Sequence, residues 1–184
     1  THLSGTGAGD LYDISYMPVT LPYREAEAPL GIHSKFRHSD EEASAGYYRV
    51  LLKDYNINVE LTATERCGIQ RYTFPKAQSA VFLNLKKAMN WDFTQDSHIE
   101  VVDSCTIQGY RFSDGWARGQ RVFFRTRFSK PFRSSEIDTT AIIQDGKTIG
   151  TAYVARFNFD TTDGEEIVLC TALSGVSMEG AAGN

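Results

Sequence analysis

Several features that would indicate a specialised class of protein are absent from this sequence or scarce in it. Its 184 residues include only three cysteines, at Cys67, Cys105 and Cys170, and none of them belongs to a Cys-x-x-Cys pair. An odd, sparse set of cysteines is not a disulfide framework, and without paired ligands we expect no metal site. We expect the three thiols to be buried in strands, because free cysteine behaves as a small hydrophobe.

Long apolar runs and an excess of positive charge are missing too. No run approaches the roughly 20 apolar residues that span a bilayer, so no transmembrane segment is expected. The net charge is −4 and the pI is about 5.6, whereas nucleic-acid binding needs a basic patch. In the densest basic stretch, residues 118–133, arginines alternate with aromatic residues as they do on a strand surface. No nucleic-acid partner is predicted.

The sequence also lacks an initiator methionine and a signal peptide. It begins at Thr1, inside a stretch that has the character of a functional loop. We therefore expect it to be a piece of a longer protein.

What the sequence does contain is a hydrophobic period of two, which is typical of half-buried strands. The clearest examples are residues 56–64, 121–128 and 153–159. Asp145-Gly146 lies between two further apolar runs and is a strong hairpin signal. The remaining strand candidates are residues 11–17 (ending before Pro18), 47–53, 67–74, 80–85, 99–112 (broken near its middle), 141–143, 148–153 and 167–173. These patterns predict an all-β fold, a large two-sheet antiparallel β-sandwich ("supersandwich") with one or two short helical turns.

The acidic cluster Asp40-Glu41-Glu42 has two interpretations. Ser39 and Glu42 have the spacing of a helix capping box, and Gly46 fits the position just after a helix end. This predicts a single helical turn over residues 39–45 that joins two strands. A pair of catalytic carboxylates, as glycosidases need, is the alternative that we disfavour here.

The opening stretch THLSGTGAGDLYD places Gly5, Gly7 and Gly9 at alternate positions. A dinucleotide-binding loop needs a strand before its glycines, and only four residues precede Gly5. A P-loop needs a Gly-Lys-Ser/Thr sequence, and no lysine occurs before Lys35. The glycines are instead typical of a tight turn before a strand or of a loop at the rim of a site. Trp116, in the glycine-flanked SDGWARG, either stacks on a sugar ring or closes one end of the sandwich.

Five stretches together resemble the N-terminal domain of glycoside hydrolase family 92. They are THLSGTGAGDLYDISYMP, FRHSDEEASAGYYRVLL, INVELTATERCGIQRYTFP, the SDGW loop and VFFRTRFSKPF. They occur in the family's order and run over nearly the whole chain, and SGVSMEGAAGN is similar to the family's junction with its next domain.

The resemblance implies a β-sandwich over residues 1–173, with residues 174–184 starting the linker to a missing (α/α)₆ catalytic domain. The family consists of calcium-dependent, inverting exo-α-mannosidases that act on mannose-containing glycans. The catalytic residues and most calcium ligands are expected in the missing domain, so no catalytic residue and no metal is expected in this chain. Export to the periplasm, cell surface or medium of a bacterium is expected.

The same resemblance implies that the sandwich contributes to the rim of the sugar pocket. By position, the rim candidates are His2, Ser4, Gly5, Thr6, Gly7, Asp10 and Trp116. The alternative is a stand-alone carbohydrate-binding sandwich that uses Trp116 as its platform. A domain that assists a catalytic partner should expose an apolar patch where that partner docks.

Overall fold

The computed structural model describes residues 14–23, 32–86 and 92–184. Its strands are β1 Ser15–Thr20, β2 Glu41–Ser44, β3 Tyr47–Leu52, β4 Ile57–Ala63, β5 Cys67–Phe74, β6 Ala77–Asn84, β7 Phe93–Asp103, β8 Thr106–Asp114, β9 Gln120–Phe128, β10 Ser134–Gln144, β11 Lys147–Thr161 and β12 Glu165–Ser174. They form two antiparallel sheets, one of four strands in the order β1-β6-β11-β10 and one of eight in the order β2-β3-β4-β5-β12-β9-β8-β7. The predicted all-β sandwich is confirmed.

Helix is confined, in the described residues, to a 3₁₀ turn at His38–Asp40 and to α1, Met178–Ala182. The Ser177 hydroxyl caps α1 by accepting a hydrogen bond from the Gly180 N–H at 3.0 Å. Ala181 is fully buried because α1 packs against β9 and β12. The chain thus folds back onto the eight-stranded sheet after its last strand.

The core lies between the two sheets, where the predicted alternation places its apolar side chains. In β4, Ile57 and Val59 are buried, and in β9 Phe124 and Phe128 are buried while Arg127 faces solvent. Aromatic rings fill much of the space; Phe128 contacts both Phe157 and Phe159 of β11 at centroid distances of 5.3 and 5.8 Å. Burying one such side chain contributes about 1.5–3 kcal/mol.

The turn predictions also hold. Asp145 and Gly146 connect β10 to β11 with φ angles of 50° and 74°, the left-handed geometry that such a two-residue hairpin requires. The predicted break in residues 99–112 falls at residues 104–105, between β7 and β8.

The prediction of a helical turn over residues 39–45 is wrong beyond Asp40. Residues Glu41–Ser44 form β2, which pairs with β3, and Gly46 lies in the β2–β3 turn with a φ of 78°. The predicted capping box of Ser39 and Glu42 is not formed; the 3₁₀ turn is instead capped at Arg37, whose N–H donates to Asp40 Oδ2 at 3.2 Å. Cross-strand pairing replaces the rest of the predicted turn, because extended backbone satisfies the next peptide groups against a neighbouring strand.

Two further predictions need correction. The first strand does not end before Pro18 but continues through it to Thr20; this is possible because β1 is an edge strand, and proline lacks only the outward N–H. The thiols are not buried: Cys170 is exposed, and Cys67 and Cys105 are half-buried. Cys105 lies in the turn at residues 104–105 rather than in a strand.

A chain of buried hydroxyl groups connects the two sheets. The Tyr16 hydroxyl, from β1, hydrogen-bonds Thr126 Oγ1 at 2.5 Å, and Thr126 in turn bonds Thr171 Oγ1 at 2.8 Å. All three residues are fully buried. Burial raises the pKa of Tyr16 to about 12, although the hydrogen bonds from the threonines oppose the shift.

Tyr16→Phe is expected to lower the free energy of unfolding by about 1–2 kcal/mol at pH 7, because a buried hydrogen bond is lost. An unfolded tyrosine ionises near pH 10, so the wild type should also lose stability as the pH rises from 10 to 12, and the variant should lose less. Urea unfolding across this pH range measures both effects.

Tyr47→Phe is the matched control, because its hydroxyl donates to Glu60 at 2.7 Å in a half-buried setting. Its effect at pH 7 should be smaller. Equal stability of the wild type and Tyr16→Phe would contradict the role of the hydroxyl chain.

Candidate functional site

Six of the seven predicted rim residues, His2, Ser4, Gly5, Thr6, Gly7 and Asp10, lie outside the described residues. Their rim role stays a prediction. The structure does show where the following strand begins: Ser15 opens β1 opposite Asn84, the last residue of β6. The segment before β1 is therefore joined to the sandwich at the end where β6 stops and β7 starts.

The seventh candidate, Trp116, lies at the same end of the sandwich, in the loop between β8 and β9. Asp114 organises this loop: its Oδ1 accepts the Gly119 N–H at 2.5 Å, and its Oδ2 accepts the Gln95 side-chain amide. Gly119 has a φ of 63°, which favours glycine there. The loop presents Trp116 outward, with 72% of the residue exposed.

Two other large apolar residues are exposed at this end. Phe93 lies opposite Asp114 in the register of β7 and β8, and Val176 follows Ser174, the last residue of β12. Phe93 is 43% exposed and Val176 is 84% exposed. We call Phe93, Trp116 and Val176 the Trp116 patch. The three are grouped because the strand ends that carry them lie at one end of the sandwich, which makes this end a candidate interaction surface.

Beneath the patch lies a fully buried ion pair that the sequence patterns did not predict. The Arg111 guanidinium donates from one terminal nitrogen to Asp92 Oδ2 at 2.9 Å. Its Nε donates to the main-chain oxygen of Leu85 at 3.1 Å and to Thr94 Oγ1 at 3.0 Å. These contacts hold the end of β6 against the start of β7 and the middle of β8. The available signal was the alternation of β8, which places Arg111 in phase with the buried residues Ile107 and Gly109.

The side chains of the acidic cluster contact residues in β3 and just after it. Asp40 pairs with Lys53 at 2.9 Å, and this contact lowers the pKa of Asp40. Hydrogen bonds from Tyr48 and then His38 lower the pKa of Glu41. A general acid of a glycosidase needs a raised pKa. Wherever a carboxyl group in the described residues has a shifted pKa, the shift is downward.

Two observations concern metals and membranes. Within residues 14–23, 32–86 and 92–184, no three His, Cys, Asp or Glu side chains are grouped so that they could hold a metal ion. In these same ranges no helix has the length and apolar character needed to cross a membrane.

Known protein families include one that matches nearly the whole sequence. The family model described as "Glycosyl hydrolase family 92 N-terminal domain" matches residues 1–174. The chain belongs to this family. A search of curated protein sequences finds no match.

Solved structures of the family are similar to the whole chain. A family GH92 α-mannosidase from Bacteroides thetaiotaomicron, in complex with mannoimidazole, is 31% identical over 100% of this chain, with a TM-score of 0.82. A second structure of the same α-mannosidase gives a TM-score of 0.83. An inverting family GH92 mannosidase from the same organism is 23% identical over 93% of the chain, with a TM-score of 0.70, and shows the shared fold. The chain spans only 23–27% of the length of these three chains.

Asp92→Ala is expected to lower the free energy of unfolding by about 3–5 kcal/mol, because it leaves the Arg111 guanidinium buried without its anion. Replacing both partners, as Asp92→Leu with Arg111→Met, should recover most of this loss. Chemical denaturation of the three proteins tests the account.

Asp160→Ala is the control, since Asp160 pairs with Arg133 at 3.7 Å and both side chains are more than half exposed. It should change stability by about 0–1 kcal/mol. A similar loss in Asp92→Ala and Asp160→Ala would show that the buried pair does not organise this end.

Proposed function

We propose that this chain is the N-terminal β-sandwich domain of a calcium-dependent, inverting exo-α-mannosidase that acts on mannose-containing glycans. The observation that carries the proposal is the 31% identity, over the full chain, to a family GH92 α-mannosidase whose structure was solved with mannoimidazole. Since the chain matches about a quarter of that protein, the proposal assigns the remaining activity to a C-terminal catalytic domain of the same polypeptide.

The Trp116 patch is the proposed contact with that catalytic domain. Its three residues lie at the end of the sandwich where the segment carrying His2–Asp10 is attached. Docking there would bring both this segment and Trp116 to the border between the domains, where they would form part of the rim of the sugar pocket. The glycines of the segment would permit close approach of the sugar or of the partner domain.

The proposed division of chemistry follows from the carboxyl groups. Inversion needs one carboxylic acid to protonate the glycosidic oxygen and one carboxylate to activate water on the opposite face. The carboxyl groups with shifted pKa values in the described residues favour the ionised form and hold neighbouring strands, so none is suited to donate a proton. The lowered pKa values argue against a general acid among these groups, and the proposal, on the family resemblance, assigns both the general acid and the general base to the catalytic domain.

Calcium takes six to eight oxygen ligands. We propose that its ligands lie mainly in the catalytic domain. We further propose that residues 174–184 lead into this domain and that the enzyme is exported to the periplasm, the cell surface or the medium of a bacterium. The origin of the similar structures from Bacteroides thetaiotaomicron supports a bacterial source, and the export itself is proposed from the family resemblance.

The second candidate function is a stand-alone carbohydrate-binding module. The exposure of Trp116 favours it, since an outward indole in a fixed loop can stack on a sugar. The two functions differ in what the isolated chain should do.

The purified 184-residue chain is expected to release no mannose from an α-mannobiose and to show no measurable binding of it, because the catalytic carboxylates and most of the pocket lie elsewhere. Product analysis by chromatography and isothermal titration calorimetry measure the two properties. Release of mannose would overturn the proposal. Binding that Trp116→Ala abolishes would instead establish the carbohydrate-binding module.

Trp116→Ala should also report on docking when the same substitution is made in the longer polypeptide. We expect a lower melting temperature in the longer polypeptide and a smaller loss in the 184-residue chain, because Trp116 is 72% exposed in the sandwich and the proposed docking would bury it further. Phe36→Ala is the control, since Phe36 is 51% exposed but does not belong to the patch. Equal effects of Trp116→Ala in both chain lengths would contradict docking through this patch.

A further inference from the structure

Two of the three cysteines face the same side of neighbouring strands. Cys67 is the first residue of β5 and lies opposite Ala172, and Cys170 of β12 lies opposite Ile69. They are therefore diagonal neighbours in an antiparallel pair. Both point to the outer face of the eight-stranded sheet, because the alternate residues Gly68 and Leu169 point into the core.

The neighbouring Cys67 thiol influences the Cys170 thiol. Partial burial raises the pKa of Cys170, and the charge and hydrogen bonding of the Cys67 thiol raise it further. Cys67 Sγ also lies 3.6 Å from the main-chain oxygen of Asn184, to which it donates.

Small reagents have access to both thiols. Cys67 lines a surface groove of about 490 Å³ beside Arg66 and Val176. Cys170 lines a second groove of about 570 Å³ on the same face and is exposed. Cys105 also lines the second groove. It directly precedes β8, and β9 lies between β8 and β12, so a whole strand separates Cys105 from Cys170.

We propose that Cys67 and Cys170 form a reversible disulfide that staples β5 to β12. The oxidant is a disulfide such as oxidised glutathione. The Cys67 thiolate attacks one glutathione sulfur, the glutathione S–S bond breaks, and a mixed disulfide and one glutathione thiolate result. The Cys170 thiolate then attacks the Cys67 sulfur and releases the second glutathione. Altogether the two protein thiols lose two protons and two electrons, which the glutathione disulfide gains.

The register predicts that this bond forms and breaks readily. Diagonal neighbours in an antiparallel sheet lie roughly 7–8 Å apart, whereas the Cα atoms of an unstrained disulfide are about 4.4–6.8 Å apart. Because the offset between the two residues runs along the strands, closure requires a local shear or twist of β5 against β12, and a strained disulfide is easily reduced. The pair therefore suits a reversible staple better than a permanent one.

The test treats the folded 184-residue chain with oxidised glutathione, blocks remaining thiols with an alkylating reagent and measures the intact mass. We expect a loss of two hydrogens, one alkylated cysteine and a peptide link between Cys67 and Cys170, all reversed by reduced glutathione. Cys105→Ser should keep the link, and Cys67→Ser and Cys170→Ser should each lose it. The oxidised wild type should melt at a higher temperature than the reduced form.

Stable glutathione adducts without an internal link would overturn the proposal, as would a link that includes Cys105. Three alkylated cysteines after oxidation would overturn it equally. Because the wild-type measurement needs no substitution, the result stands even where a serine variant does not fold.

Discussion

The buried pair of Arg111 and Asp92 is the constraint on which the Trp116 end of this sandwich depends. Burying a guanidinium away from water costs free energy unless its N–H groups donate hydrogen bonds. Here they donate to Asp92, Leu85 and Thr94. The end of β6, the beginning of β7 and the body of β8 are thereby fixed to one another. The loop that carries Trp116 begins three residues after Arg111, at the end of β8. The position of the Trp116 patch thus follows from an interaction inside the core.

A rigid end of this kind suits a domain that positions a partner. Asp40 and Glu41, whose pKa values are lowered, contact Lys53 and Tyr48, and the exposed Phe93, Trp116 and Val176 lie where β7 begins and where β8 and β12 end. Contact residues that position a partner must lie on elements that do not shift. The proposed role, a scaffold at the border of a sugar pocket, matches this arrangement. It also agrees with a chain that spans about a quarter of its relatives.

The sequence predicted the features that depend on local rules. Strand period, the Asp145-Gly146 hairpin and the β7–β8 break follow from side-chain alternation and from the backbone preferences of glycine and aspartate. The secondary-structure predictions were wrong where contacts with residues distant in sequence determine the structure. Glu41–Ser44 form a strand because they pair with β3. Pro18 fits within β1 because β1 is an edge strand. The glycine-flanked loop was enough to identify Trp116 as a candidate for the rim of the sugar pocket. Its grouping with Phe93 and Val176 required the register of three separate strands.

The central claim is that this sandwich works as part of a larger α-mannosidase. The most direct measurement is the intact mass of the native species that carries this sequence, captured from its source cells with an antibody raised against the chain. The account predicts a species much heavier than 20.6 kDa that releases mannose in a calcium-dependent manner. A native species near 20.6 kDa would contradict it, since the domain would then act alone.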